Sequence, residues 1–82
     1  MVKAAFNPSF KKIFSKIKDK SLKEKIIKQF SKIRDNPEIG KPMKYARKGT
    51  REVYVAPYRL SYIYYEKEDM IVFLDLYHKD EQ

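Results

Sequence analysis

The sequence contains no cysteine and one histidine, His78. The absence of cysteine excludes disulfide bonds and every thiolate metal site. With one histidine and no cluster of Asp and Glu at ligand spacing, a zinc or two-metal site is not expected. No apolar run approaches the roughly 20 residues of a membrane span, and residues 1–14 lack the apolar block of a signal peptide. We therefore expect a cytoplasmic protein that uses neither a metal nor a membrane segment.

The chain is short, basic and rich in tyrosine. Its 82 residues predict a single domain, residues 1–82, and leave no room for a separate cofactor domain. The hydrophobic content of 43% is typical of a folded protein rather than a disordered basic tail. A net charge of +8 favours an anionic partner, such as nucleic acid, an acidic protein or an anionic membrane face. We interpret the lysines of residues 11–34 as the solvated side of helices, and the basic cluster in residues 41–51 as functional.

The first half of the chain predicts one strand and two helices. Val2–Phe6 is typical of a short strand, and Asn7-Pro8 of a helix start, because Asn caps and Pro fits the first helical position. A capping-box pattern at Ser21–Glu24 opens the second helix, and Asn36-Pro37 ends it. The connector, at about residues 19–21, favours an antiparallel helical hairpin. The expected buried positions recur at helical spacing: Phe10, Ile13, Phe14 and Ile17, then Leu22, Ile26, Ile27, Phe30 and Ile33.

The second half of the chain changes to a period of two. Residues 38–50 show no period and predict a long loop. The three strands predicted after it form an antiparallel meander: Arg51–Ala56, Tyr58–Glu66 and Met70–Tyr77. The order β-α-α-β-β-β predicts an α+β fold, in which an N-terminal strand precedes an antiparallel helical hairpin packed on one face of an antiparallel β-sheet.

Alternation along these strands separates an inward from an outward face. The inward set is apolar: Val53, Val55, Leu60, Tyr62, Tyr64, Met70, Val72, Leu74 and Leu76. The outward set includes Ile63, Tyr65, Ile71 and Phe73, and collects a polar group: Glu52, Tyr54, Arg59, Ser61, Asp75 and Tyr77. That polar group is consistent with a binding site. It is equally consistent with the wet face of an antiparallel sheet, on which arginine pairs with carboxylates across strands.

Several segments together resemble the RelE/ParE toxin superfamily, the toxins of prokaryotic toxin–antitoxin pairs. Tyr58–Tyr62, which reads Y-R-L-S-Y, is similar to the Y-R-L-V-Y strand of that family. Gly40–Lys44 and Arg51–Val53 resemble its G-K-P-x-x-L and R-E-L segments, and Tyr77–Lys79 resembles its G-H-R or Y-H ending. The resemblance is carried by the order and spacing of these motifs over most of the chain.

The resemblance implies an activity and a set of partners. Nuclease members of the family cleave messenger RNA in the ribosomal A site without a metal or a cofactor. In that reaction the 2′-hydroxyl attacks the adjacent phosphate and leaves a 2′,3′-cyclic phosphate and a 5′-hydroxyl end. The implied partners are therefore the ribosome, messenger RNA and an acidic antitoxin of the RelB type. We expect a ribosome-dependent endoribonuclease toxin that is monomeric alone and forms a hetero-oligomer with its antitoxin.

The resemblance also implies catalytic residues. Arg59 matches the arginine of the family motif, and its planar guanidinium can hold two phosphate oxygens. Lys79 stands where many members have arginine and is expected to supply a second cation. His78 matches the terminal histidine, whose implied role is to protonate the leaving oxygen. On a regular strand, however, His78 would point away from the face that carries Lys79.

The remaining implied contacts are with RNA. The expected contacts are basic side chains and stacking tyrosines: Lys44, Arg47, Lys48, Arg51, Tyr54 and Tyr77. The general base is left open between Glu52, on the condition that it is not paired with Arg59, and a lysine of the loop, Lys44 or Lys48. Glu52 and Tyr54 stand where nuclease members often carry two basic residues. This departure keeps two alternatives open: a non-catalytic toxin, like the branch that inhibits DNA gyrase, or an inactive domain that binds antitoxin or RNA.

Overall fold

The computed structural model describes residues 2–43 and 49–78. The strands and helices in these ranges follow the order β1 (Lys3–Phe6), α1 (Pro8–Lys16), α2 (Lys20–Asp35), β2 (Lys41–Pro42), β3 (Thr50–Val55), β4 (Tyr58–Tyr65) and β5 (Met70–His78). The predicted α+β class and its element order are confirmed. The short strand β2 is an addition, since it lies inside the segment that the sequence predicts to be a loop.

The strands form one sheet in the order β1-β5-β4-β3-β2. The meander β3-β4-β5 is antiparallel, as predicted, and β1 pairs parallel with β5 at one edge. At the opposite edge β2 pairs with β3, with Lys41 opposite Glu52 and Pro42 opposite Arg51. Because proline has no N–H to donate, Pro42 suits an edge strand of this kind.

The starts of the two helices differ from each other. Asn7 takes the N-cap position of α1, but its side chain makes no capping hydrogen bond. At α2 the cap is Asp19, whose carboxylate accepts the backbone N–H groups of Ser21 at 2.9 Å and Leu22 at 3.2 Å. The prediction that Ser21 caps this helix is therefore wrong, because the charged acceptor just before it makes those hydrogen bonds instead. Neither described helix has the length and apolar character needed to cross a membrane.

The core lies between the helical hairpin and the sheet. Its buried members come from both layers: Phe10, Ile17, Ile26, Ile33, Val55, Leu60, Tyr62, Ile71, Phe73 and Leu76. Phe30 packs against this core, with its ring centroid 4.7 Å from that of Phe73. The prediction that Ile27 is buried is wrong, since half of this residue is exposed (50%). The face that α2 presents to the sheet is narrow and follows Ile26 and Ile33, which are fully buried.

The face assignment of β5 is wrong for most of the strand. Ile71 and Phe73, predicted to point outward, are fully buried in the core. Ser61 pairs with Asp75 but Tyr62 pairs with Phe73, so the strand contains a β-bulge at Leu74. The extra residue reverses the alternation of inward and outward side chains along β5. Ile71 and Phe73 therefore face the core before the bulge, and Leu76 faces the core after it, as predicted. On the other face, Ser61 and Ile63 of β4 are also buried, each 5% exposed.

Candidate functional site

Arg59 lies on the sheet face away from the helices and is paired with a carboxylate. Its Nη1 atom lies 2.7 Å from Oε1 of Glu52, and the two side chains are 30% and 20% exposed. Glu52 is on β3 and pairs across the strands with Ser61, while Arg59 on β4 pairs with Tyr54. Leu60, between Arg59 and Ser61, is fully buried in the core. The alternation of β4 therefore holds the guanidinium outside the apolar layer, as the sequence predicts.

Two tyrosines complete this group. The hydroxyl of Tyr77 donates to Oε2 of Glu52 at 2.8 Å, so both carboxylate oxygens accept hydrogen bonds. The Cζ atom of Arg59 lies 5.9 Å from the ring centroid of Tyr54, a cation–π distance. The structure thus brings together four of the residues that the sequence singles out. The Glu52 carboxylate, a proton acceptor, lies beside the Arg59 guanidinium, a cation that can donate two parallel hydrogen bonds. The rings of Tyr54 and Tyr77 lie on either side of the pair.

The pairing of Arg59 has a chemical consequence. Glu52 offsets the positive charge that a phosphate would need, so the arginine is available only if an anion displaces the carboxylate. Asp75 does not share this role, because its carboxylate accepts the N–H of Leu76 at 2.9 Å. The Nε atom of Arg59 is buried and has no hydrogen-bond partner in the described part of the chain. Within that part, Arg59 therefore has hydrogen-bond donors that lack an acceptor, namely Nε and the exposed part of the guanidinium.

His78 lies on the other face of the sheet. It pairs across the strands with Tyr58, and the two ring centroids are 5.5 Å apart at an interplanar angle of 75°. Tyr58 packs against the hydrophobic core, as does the row of Leu60 and Leu76 that follows on the same face. The structure therefore separates His78 from Arg59, in agreement with the parity of the sequence. A role for His78 in protonating the leaving oxygen stays a prediction.

Arg51 is also separated from Arg59. It pairs with Tyr62 of the core-facing row, and its Nη1 atom donates to the carbonyls of Glu38 at 3.1 Å and Gly40 at 2.8 Å. These hydrogen bonds fasten the segment before β2 to the sheet. The predicted contact of Arg51 with RNA stays a prediction beside this structural role. The other basic residues assigned to the site lie outside the described residues: Lys44, Arg47, Lys48 and Lys79.

A cleft of about 440 Å³ adjoins the Glu52–Arg59 pair. Its lining includes Gln29 of α2, Ile39 of the segment between α2 and β2, and Lys41 of β2. Tyr54 and Arg59 of the sheet also line it. Sequence reasoning did not assign Gln29 or Ile39 to the site. Gln29 sits on a helix whose pattern indicates only a core face, and Ile39 precedes a strand too short to show a period. The sequence feature that could have indicated this cleft is Lys41, which follows Gly40 in the basic segment.

The fold and the sequence together define the class of this protein. A helical hairpin on an antiparallel meander, with an outward arginine on its middle strand, is the arrangement expected of the RelE/ParE toxin superfamily, and the comparisons confirm that resemblance. Residues 3–82 match the family described as the ParE toxin of the type II toxin–antitoxin system, parDE. The chain therefore belongs to the ParE toxin family of type II toxin–antitoxin systems. A comparison with curated protein sequences finds no match.

Solved structures of toxins share the fold. The toxin–antitoxin complex RelBE of E. coli matches with a TM-score of 0.83 and 15% identity, covering 100% of each chain. The YoeB/ParE toxin from Agrobacterium tumefaciens gives 0.83 and 17%, covering 94% of this chain and 98% of its own. The YoeB dimer from Staphylococcus aureus gives 0.79 and 21%, covering 94% and 97%. At these identities the likeness shows the fold and leaves the reaction open.

Proposed function

We propose that this toxin is an endoribonuclease that cleaves messenger RNA on the ribosome. One observation carries the proposal: the Glu52 carboxylate and the Arg59 guanidinium lie side by side on the outward face, flanked by Tyr54 and Tyr77. Cleavage by a 2′-hydroxyl needs a base for that hydroxyl and a cation for the charge that grows on the phosphate. These two side chains supply one group of each kind within hydrogen-bond distance.

The reaction follows from these positions. Arg59 turns from Glu52 to the non-bridging phosphate oxygens, which its planar donor pair fits better than a lysine would. Glu52, released from the pair, accepts the proton of the 2′-hydroxyl while the O2′–P bond forms and the P–O5′ bond breaks. The leaving O5′ takes up a proton from water, because His78, to which the family resemblance gives this role, lies on the opposite face of the sheet. We propose Lys79 as the second cation at the phosphate.

The RNA itself would be held by charge and by stacking. We propose that Tyr54 stacks on an unpaired base, a common mode of single-strand recognition. Tyr54 suits this role because 54% of it is exposed. Lys44, Arg47 and Lys48 are proposed to contact phosphates of the message or of ribosomal RNA, which would make binding depend on salt.

The test is cleavage of a translated message. In a translation extract, the wild-type protein should cut within codons and leave 5′-hydroxyl ends, and Arg59→Ala should lower the rate by at least about 100-fold. Arg34→Ala removes an exposed arginine at the end of α2 and serves as the matched control, with cleavage expected at the wild-type rate. If the wild type leaves every translated message intact, the proposal fails.

A second candidate is a non-catalytic toxin that inhibits DNA gyrase. The observation that favours it is the same ion pair, because Glu52 neutralises the one arginine on the described outward face. The match of residues 3–82 to the ParE family points in the same direction. Under this alternative the protein slows supercoiling by purified gyrase, leaves messenger RNA whole, and keeps that effect in Glu52→Gln.

Membership of this family implies an antitoxin partner, and solved relatives include toxin–antitoxin complexes. We propose that the antitoxin is acidic, because the toxin carries a net charge of +8 and opposite charge speeds association. We further propose that the toxin alone is monomeric and that the neutralised form is a hetero-oligomer. Co-expression with an acidic protein encoded next to it, followed by size-exclusion chromatography with light scattering, tests both statements.

A further inference from the structure

The cleft beside the Glu52–Arg59 pair has an apolar side that the proposed reaction does not use. Three large hydrophobic residues are strongly exposed in the described chain: Ile27, Ile39 and Tyr54. Two of them, Ile39 at 48% and Tyr54 at 54%, line this one cleft. Exposed apolar side chains gathered in a concave site are typical of a ligand surface rather than of scattered surface residues.

The cleft also contains one neutral hydrogen-bonding side chain. Gln29 projects from α2, is half-buried, and makes no side-chain hydrogen bond within residues 2–43 and 49–78. Its amide offers a donor and an acceptor side by side, which is the pattern needed to pair with the edge of a nucleobase. Lys41 stands at the same cleft and provides positive charge for a phosphate beside such a base, whereas the charge of Arg59 is offset by Glu52, which also lines the cleft, until an anion displaces that carboxylate.

We propose that this cleft is a base-recognition subsite for single-stranded RNA, in which a base lies against Tyr54 and Ile39 and the Gln29 amide reads its hydrogen-bonding edge. The cleft of about 440 Å³ falls within the size range of small-ligand sites and has room for one nucleotide. Among the bases, adenine is the usual bidentate partner of a glutamine amide, so we expect adenine to bind best. The inference rests on the proposed action on RNA and adds Gln29 as its specificity-determining residue.

The experiment measures binding of single nucleotides, which requires neither the ribosome nor cleavage. The four nucleoside 5′-monophosphates and ribose 5-phosphate are titrated into the ¹⁵N-labelled protein by NMR. The base-containing ligands should shift the side-chain amide of Gln29 and the backbone amide of Tyr54, whereas ribose 5-phosphate should not. Equal shifts from ribose 5-phosphate would mean that the cleft holds only a phosphate and would overturn the proposal.

Two substitutions at position 29 make the test specific. Gln29→Ala should weaken binding of adenosine monophosphate about tenfold, the size of one lost bidentate pair. Gln29→Glu should reverse the order of adenosine and guanosine monophosphate, because a carboxylate only accepts and guanine offers two adjacent N–H donors. Lys28→Ala, at the exposed neighbouring position, should bind as the wild type does. An unchanged base order in Gln29→Glu, with the helix intact by circular dichroism, would contradict the inference.

Failure of the subsite and failure of the nuclease proposal give different results. If the wild type cuts messages but Gln29→Glu leaves the base order unchanged, the subsite is wrong and the nuclease stands. If the base order reverses in Gln29→Glu but no message is cut, the subsite stands and cleavage is wrong.

Discussion

The Nη1 atom of Arg59 lies 2.7 Å from Oε1 of Glu52, and the hydroxyl of Tyr77 holds the other carboxylate oxygen at 2.8 Å. Both charged side chains keep contact with solvent, at 30% and 20% exposure. Fully exposed pairs contribute about 0–1 kcal/mol to stability, whereas this pair is part-buried. A phosphate can displace Glu52 only by supplying the negative charge and the hydrogen bond that Arg59 then loses. We interpret the pair as the arrangement of the site without RNA, in which Glu52 leaves Arg59 when an anion binds the guanidinium.

Glu52→Gln should separate RNA binding from RNA cleavage. The substitution removes the charge that competes for Arg59, so the affinity for RNA should rise a few-fold, an effect of about 1 kcal/mol. It also removes the base, so cleavage should fall by about 10²–10⁴-fold. Binding is measured with an RNA that carries 2′-deoxyribose at the scissile position, and cleavage with the unmodified RNA.

The matched control for this change is Glu68→Gln, which neutralises an exposed carboxylate in the turn before β5. It should leave both quantities near their wild-type values. Cleavage at the wild-type rate in Glu52→Gln would show that another group takes the proton. A loss of both binding and cleavage would show instead that Glu52 holds the site in shape.

Arg59 should account for about one phosphate contact in the salt dependence of RNA binding. For single-stranded nucleic acid, each neutralised phosphate contributes roughly 0.7 to the slope of log K against log salt. Arg59→Ala should therefore reduce the magnitude of that slope by about 0.7. Fluorescence anisotropy of a labelled RNA between low and physiological salt measures it. An unchanged slope would mean that Arg59 remains bound to Glu52 when RNA is present.

The meander and its outward polar row could be predicted from the sequence, because strict alternation on β3 and β4 fixes which side chains share a face. Val53 and Val55 pack on the core side, and Tyr54 and Arg59 meet on the other. The faces of β5 could not be predicted. Apolar residues occupy both parities there, so the pattern contains no mark of the bulge at Leu74 that reverses the alternation.

The cleft could not be predicted either, because it depends on tertiary contacts. Gln29 lines the same cleft as Tyr54 because α2 contacts β3, and β2 pairs only with Arg51 and Glu52 of that strand. The sequence places two carboxylates, Glu52 and Asp75, on the face that carries Arg59. The register puts both of them opposite Ser61, one on each neighbouring strand, so it does not distinguish them. Their side-chain contacts do, since Glu52 pairs with the guanidinium whereas Asp75 accepts the N–H of Leu76.

Neighbouring isoleucines on α2 provide a matched pair for the packing of the helical hairpin. Ile26 is fully buried and Ile27 is 50% exposed. Ile26→Ala should lower the free energy of unfolding by about 2–5 kcal/mol, because it leaves a cavity in the core. Ile27→Ala should change it by less than about 1 kcal/mol. Urea unfolding followed by circular dichroism measures both, and equal losses would contradict the described orientation of α2.

Gly40→Ala should disturb both stability and the cleft. A Cβ atom at this position would lie 2.8 Å from Oη of Tyr62 and 2.9 Å from the backbone oxygen of Glu52, and a strand carbonyl cannot move away easily. We expect a loss of about 1–3 kcal/mol in the free energy of unfolding.

Gly49→Ala offers the contrast for Gly40→Ala. Gly49 has a φ of +91°, but a Cβ atom there would make only an ordinary van der Waals contact, with Ile63 at 3.7 Å. That substitution should also cost stability, because the backbone conformation is strained for alanine. It should not alter nucleotide binding in the cleft, whereas Gly40→Ala should weaken it. Equal binding by both variants would show that the backbone of Gly40 does not set the cleft wall.

Stability should fall in alkaline solution through the titration of Tyr62. Its hydroxyl donates to the carbonyl of Pro37 at 2.7 Å and accepts the N–H of Gly40 at 3.0 Å. Burial raises the pKa of the Tyr62 phenol above 10.0, against smaller lowering effects of the Gly40 hydrogen bond and the charge of Arg51. Because the folded pKa lies above the unfolded one, this contribution is complete below about pH 10 and is lost as the pH rises further.

Tyr62→Phe tests that dependence. The variant should lose about 1 kcal/mol at neutral pH, since the carbonyl of Pro37 and the N–H of Gly40 lose their partner. Between pH 9 and 11 its free energy of unfolding should then fall less steeply than that of the wild type. Tyr54→Phe removes an exposed hydroxyl and should change the free energy of unfolding at neutral pH by less than about 0.5 kcal/mol. Part of the slope should persist in Tyr62→Phe, because the hydrogen bond to Asp69 also raises the pKa of Tyr64. If the free energy of unfolding falls equally steeply with pH in the wild type and in Tyr62→Phe, the Tyr62 phenol ionises without loss of stability.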